Sequence, residues 1–304
     1  MTSALTAGLG ALVVFSLVLL VLDLRERFRA QPTEGRVAAP SWQSGLFVVA
    51  VLLVYSVIQF AGVALVPGVA DVVDGVRALS GTTALPASAN IPGPWLTVLV
   101  WVAAFYFLGL IDYLFHRFAS HSRPLWFTHE NHHLPRELYV YMPGIAARPF
   151  VVVAAFPAVV GLVATLHFAL AAFGVHGFDI VSLMLFLAMA QLFISSASHS
   201  AFLRRHWIVH RMMKPFGLTT PQEHWYHHVQ ELEVNYGNFT TVWDRVFGTY
   251  LDPAKVDATR YRTGLDYDQD FLGTLTLGKL KLGRGIRERF QLEQFCYLEA
   301  ETAD

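Results

Sequence analysis

The sequence predicts an all-α integral membrane protein, with about four to five transmembrane helices and a cytoplasmic, histidine-rich helical cap. Three observations predict it. The 304 residues are 54% hydrophobic and only 15% charged, with a mean hydropathy of +0.44. A soluble domain of this length carries more charge. The apolar residues gather into runs of about 20, the length of a bilayer-spanning helix. Nine of the thirteen histidines cluster just beyond the ends of those runs.

Ala4–Leu22 is the first run. No Lys or Arg precedes it, so it lacks the charged flank of a signal peptide. Arg25, Arg27, Arg29 and Arg36 follow, which puts this end in the cytoplasm and the N-terminus outside. Gly45–Val66 returns outward. Pro67–Pro94, with Arg77 its only basic residue, reads as an outside loop. Trp95–Leu114 runs inward, and Arg117, Arg123, Arg136 and Arg148 beyond it again read as cytoplasmic. Phe150–Phe173 leads outward and Asp179–Ser196 back, followed by Arg204, Arg205, Arg211 and Lys214. His167 and His176 have no clustered partners and read as packing or lumenal-side residues. If the last two spans form a re-entrant hairpin, the span count changes but the side of the clustered histidines does not.

The chain divides into an N-terminal hairpin and outside loop (1–94), a catalytic domain (95–251) and a cytoplasmic tail (252–304). In the tail, Thr274–Leu282 alternates apolar and polar residues, the pattern of a short strand or hairpin. The single cysteine, Cys296, allows neither a disulfide framework nor a Cys-based zinc site. The net charge of −1 leaves no footprint for nucleic acid.

The chemistry lies in Asp112–His133, which holds His116, His121, His129, His132 and His133. About ninety residues later, His224, His227 and His228 repeat the H-x-x-H-H spacing, and His199 stands alone after the last apolar run. In a helix, positions i, i+3 and i+4 share a face, so each triplet can present its rings together. Neutral imidazole is the commonest nitrogen ligand for iron, zinc and copper. Nine imidazoles exceed the needs of one tetrahedral ion, so the count suggests two metals in one centre at the membrane surface. Five spans place all nine on the cytoplasmic side. Surface histidines on juxtamembrane segments are the plain alternative, and two identical triplets speak against it.

Asp112, one turn before His116, either hydrogen-bonds a ligand imidazole or simply reaches water. His206 and His210 can substitute for His199, or are basic-face residues beside Arg204 and Arg205. Arg117 and Arg245 either pair with Asp112 and Asp244 or contact lipid headgroups. Phe105, Phe107 and Tyr113 either line a lipid pocket or pack helices. A metal carrier or channel needs ionisable residues within the spans, and these spans are nearly free of charge.

As a set, these motifs resemble the fatty acid hydroxylase/sterol desaturase superfamily of integral-membrane di-iron enzymes. The resemblance rests on D-x3-H-R from Asp112 closing on His121, and on H-x-x-H-H at His129 and again at His224. It continues in N-Y-G-N from Asn235 and W-D-R-V-F-G-T-Y from Trp243. Only seven residues separate His121 from His129. Acyl-CoA desaturases space their first two boxes much further apart, so the resemblance is to the hydroxylase/sterol branch. H-R-F-A-S-H and H-E-N-H-H-L-P look like fatty acid (ceramide) 2-hydroxylases; the last two motifs look more like sterol members. One departure is His199-Ser200-Ala201, where many members carry H-x-N.

The resemblance implies two iron ions on His116, His121, His129, His132, His133, His199, His224, His227 and His228, with zinc able to substitute in a purified sample. It implies O2 as co-substrate and hydroxylation or desaturation of a lipid C–H bond. Electrons then come from a separate donor, such as a ferredoxin or cytochrome b5 with its reductase, because no fused cytochrome b5 domain is seen. Trp243, Asp244 and Tyr236 are expected to fix the cap onto the ligand helices. The alternative is a non-oxidative lipid isomerase or lyase using a metal-bound water on the same scaffold.

Overall fold

The computed structural model describes residues 2–29, 93–135, 138–140 and 180–289, with isolated positions between 46 and 57 and at 165. The described residues are mostly helical and contain no strand; their β pairing is limited to isolated bridges, Leu218 with Thr240 and Val229 with Thr263. Helix α1 is Thr2–Arg29 and α2 is Pro94–Phe115, opened by a proline in its first turn. A one-turn α3, Glu130–His133, precedes the long α4, Ile180–Ser198. Then come α5 Ala201–Arg204, α6 Trp207–Met213, α7 Pro221–His227, α8 Val242–Phe247, α9 Phe271–Leu275 and α10 Arg284–Arg289.

Among the described residues, one helix is long and apolar enough to cross a membrane: Pro94–Ser120, 27 residues, with an 18-residue stretch of mean hydropathy 2.0. Most of 45–66 and nearly all of 150–173 lie outside the described residues, as do His167, His176, Arg136, Arg148 and Cys296. The number of spans therefore rests on the sequence.

Two cores set the site between them. In the first, Ala104 and Phe105 of α2 meet Leu183 and Leu187 of α4, with Phe239 from the loop before α8. Trp101 of α2 lies 4.6 Å from Phe186, and Phe15 of α1 lies 5.3 Å from Phe193, ring centre to ring centre. Phe105 and Tyr113 are buried packing residues, and Tyr113 shares a hydrogen bond with the Thr249 hydroxyl. Phe107 remains exposed. In the second core, Trp225, Tyr226 and Val229 pack on Leu138 and Tyr139, joined by Leu251, Val256 and Phe271. Burying one such aromatic is worth on the order of 2 kcal/mol. Helix α7 is thus held by its Trp225–Tyr226 face, which leaves its histidines facing inward.

The tail corrects one expectation. Within Thr274–Leu282 there is no strand; Thr274 and Leu275 close α9 instead. The Asp270 carboxylate caps α9 at the Gly273 N–H, 2.7 Å away, and Leu277 and Gly278, both at positive φ, follow its end. Local capping outweighs a weak alternating pattern.

Candidate metal centre

Each histidine segment is shaped by its local sequence. Helix α2 passes directly into a π turn, His116–Ser120, in which His121 N–H bonds the His116 carbonyl at 3.1 Å. Residues five apart diverge on an α-helix; the wider π turn brings the two rings to 4.9 Å. His129 is the N-cap residue of α3. Helix α7 opens on Thr220-Pro221-Gln222-Glu223, a capping box with proline in its first turn. Such a cap is worth about 1 kcal/mol and fixes where His224 begins. His199 sits one residue past α4, its N–H still bonded to Ser195.

The nine histidines meet in two groups. His116, His121, His129, His133 and His227 form one; His132, His199, His224 and His228 form the other. Within each group the candidate donor atoms lie within 4.8 Å of one another. Each H-x-x-H-H triplet is divided: positions i and i+4 serve one group and i+3 the other. His129 and His133 go to the five-histidine group and His132 to the four. His224 and His228 go to the four and His227 to the five.

Ring orientation is set by backbone carbonyls. His116 Nδ1 donates to Tyr236 O, His227 Nδ1 to Val234 O and His199 Nδ1 to Ser195 O. In a neutral imidazole the other nitrogen then carries a lone pair. Those lone pairs point inward. His116 Nε2 lies 3.0 Å from His129 Nε2, and His199 Nε2 lies 2.9 Å from His224 Nε2 and 3.2 Å from His132 Nε2. Ring nitrogens of His121, His132, His133, His224, His227 and His228 are buried without a hydrogen-bond partner. Buried polar atoms left in this way are costly. A cation held among the facing nitrogens satisfies such lone pairs, as at His121 Nε2 and His227 Nε2, so the donor set fits metal ions.

Electrostatics agree. Burial first, and neighbouring histidines second, hold His121, His132, His133, His224, His227 and His228 well below the ordinary imidazole value; burial lowers His199 to about 4. All seven are neutral near pH 7, the form that binds metal. Among the nine, only His121 is not fully buried.

Residues 101–249 match the family model described as fatty acid hydroxylase. Residues 101–249 form a fatty acid hydroxylase domain. No curated protein and no solved structure matches it. The family implies an oxidoreductase of lipid metabolism, is membrane-associated and is typically iron-dependent; the two histidine groups of this fatty acid hydroxylase domain are compatible with a metal site.

Other expectations are corrected. Asp112 bonds no imidazole; its carboxylate accepts from Asn238 N at 3.0 Å and Asn238 Nδ2 at 2.8 Å. It therefore steadies the loop whose Tyr236 carbonyl orients His116. Arg117 does not pair with Asp112 but donates to Tyr113 Oη at 2.7 Å. Arg245 does not pair with Asp244; it stacks on Tyr250 and faces Glu223 at 3.6 Å. Their geometry follows from short reach: Asp112 and Asp244 are already occupied by backbone N–H groups of 236–238. His206 bonds Phe202 O and is exposed, and His210 bonds Thr220 Oγ1, so neither joins the groups; His199 does.

In the fatty acid hydroxylase domain, Trp243 donates to Tyr106 O, and Asp244 accepts from Tyr236 N, Gly237 N and Thr249 Oγ1. These contacts tie α8 to α2 and to the 235–238 loop. Asn235 takes a left-handed conformation, φ 52°, and bonds Glu223 O and Leu251. A Cβ at Gly237 would lie 1.9 Å from Thr240 O, so this turn admits only glycine. The orienting carbonyls of Ser195, Val234 and Tyr236 were not legible as functional, because any residue supplies a carbonyl.

Proposed function

We propose that the chain is a membrane-bound di-iron oxygenase that hydroxylates or desaturates a C–H bond of a lipid. The observation that carries this reading is the division of nine histidines into converging groups of five and four. His116, His121, His129, His133 and His227 would hold one iron; His132, His199, His224 and His228 the other. Iron bound there supplies reduction of O2 and oxidation of an unactivated C–H bond.

The protein's own part is orientation and exclusion. The carbonyls of Tyr236, Val234 and Ser195 fix three rings by their Nδ1–H groups. Burial of the other rings keeps water from all sides but that of His121, where Trp126 and Tyr236 lie 5.3 Å and 5.2 Å from its ring. Hydroxylation consumes the lipid C–H, O2, two electrons and two protons and yields the alcohol and water. Desaturation consumes the same and yields the alkene and two waters. A separate donor, a ferredoxin or cytochrome b5 with its reductase, supplies the electrons. The active site faces the cytoplasm, and the lipid enters from a multi-pass membrane domain.

The test is untargeted lipid mass spectrometry on membranes expressing the wild type or a His224→Ala, His228→Ala variant, with sterols and fatty acids supplied. A lipid gaining one oxygen, or losing two hydrogens, only in the wild type and only with O2 supports the reading. A wild-type product that forms with zinc and without O2 overturns it in favour of a non-oxidative isomerase or lyase.

A further inference from the structure

Helix α1 lies outside residues 101–249, yet its Asp23 is fully buried. One carboxylate oxygen accepts from the Ser200 hydroxyl at 2.6 Å and from Phe202 N at 2.9 Å; the other accepts from Val140 N at 3.0 Å. Ser200 and Phe202 directly follow His199, and Val140 lies seven residues after His133. The Ser200 hydroxyl oxygen also accepts from Leu203 N, which caps α5. One turn along α1, Glu26 pairs with Arg205 at 2.7 Å on the outer side of the same corner.

A buried carboxylate is costly unless its lone pairs are met. Here the donors come from two segments, the corner after His199 and the stretch after His132–His133. One side chain therefore joins the chain on either side of the four-histidine group. Across that group, His132 and His199 face each other, Nε2 to Nε2, at 3.2 Å. Neither the α4–α5 corner nor the stretch at Val140 belongs to a long helix that would fix its position alone.

We propose that Asp23 is a positioning residue of the four-histidine group: by tying the His199 corner to the Val140 segment, it sets His199 opposite His132. The inference rests on the reading of that group as a metal site. It makes α1 part of the centre rather than an added membrane anchor.

The test uses the full chain in detergent, stripped of metal and titrated with cobalt(II), whose visible absorption reports the geometry of each site. The wild type is expected to take up two cobalt ions per chain. Asp23→Ala is expected to bind the second about 10–100-fold more weakly and to lose its absorption bands, while the first is unchanged. Asp23→Asn keeps an acceptor for Ser200 but turns an amide N–H towards Val140 N, and is expected to fall between. Ser200→Ala, which removes one hydrogen bond at the corner, should shift the same bands. If Asp23→Ala does not fold, Asp23→Asn and Ser200→Ala decide. Two cobalt ions bound with wild-type affinity and bands in the folded variants overturns the role of Asp23 alone. A wild type that takes up no cobalt overturns the metal reading and this inference together.

Discussion

His133 and His228 stack face to face, with ring centres 4.4 Å apart and planes inclined by 29°, although they belong to different histidine groups. His132 and His228, which share a group, lie 4.6 Å apart on the other side. The two groups therefore share a wall of rings. On a helix, the i+3 residue lies to one side of i and the i+4 residue to the other. A triplet wedged between two sites must then divide between them, as both triplets do.

The shared wall has a measurable consequence. His228→Ala removes one donor from the four-histidine group and the stacking support of His133 in the other. His116 has no ring contact with the four-histidine group; its neighbours are His121, His129 and His227. His228→Ala is expected to reduce metal per chain to below half of wild type, and His116→Ala to about half, by elemental analysis of purified protein. Equal losses in the two variants would show that the wall does not couple the groups.

Acid should unload and unfold the protein. His121, His132, His133, His199, His224, His227 and His228 all have folded values below the ordinary imidazole value, burial being the main cause. Below about pH 6.5 the unfolded chain takes up protons that the folded chain refuses. Stability is complete above that pH and falls as pH drops, by about 1.4 kcal/mol per unit for each such histidine. For His199 the loss runs down to about pH 4. Asp244, raised to about 6 by burial, works in the opposite direction and offsets part of this loss. Melting temperature and metal content followed from pH 8 to 5 should fall together; a flat profile would contradict the buried, neutral state of the rings.

The converging histidines are legible in the sequence because imidazole is uncommon and its spacing is geometric. The division into groups is not. Helical phasing makes His129, His132 and His133 neighbours, but only the packing of α3 against α7 decides which ring faces which group. H-x4-H at His116 carries no sign of a π turn. Helical phase puts Asp112 one turn before His116, yet its partner, Asn238, is 126 residues away in sequence and no local pattern reveals it. Asp23 reads as the end of an apolar run, and its role depends wholly on long-range folding.

Asp112 and Asp244 grip one loop from opposite ends, Asp112 at Asn238 and Asp244 at Tyr236 and Gly237. That loop carries the carbonyl that orients His116. Asp244→Ala strands three buried donors and should cost on the order of 3 kcal/mol in stability. Asp112→Ala should cost about 1–2 kcal/mol and weaken metal binding in the five-histidine group about 10-fold, without abolishing it. Because both hold the same loop, the double variant should lose less than the sum. Denaturation midpoints of the four proteins check this; strict additivity would mean that the loop is held elsewhere.

The C-terminal segment reaches the same centre from outside the matched domain. Trp126 Nε1 donates to Tyr267 Oη at 2.7 Å, and Tyr267 Oη donates to Glu130 at 3.0 Å, with Gln269 Nε2 behind it at 3.3 Å. Glu130 is buried and opens α3, between His129 and His132; the Trp126 ring lies 5.3 Å from His121 and 5.2 Å from His133. One phenol therefore holds both the helix that carries three donors and the indole that covers the least buried one. Tyr267→Phe keeps the ring and removes both hydrogen bonds, leaving Glu130 to Gln269. The expected cost is about 1–2 kcal/mol in stability. Metal release to a chelator should accelerate in the five-histidine group more than in the four, because Trp126 touches only the former. Equal acceleration in both would assign Tyr267 to general stability.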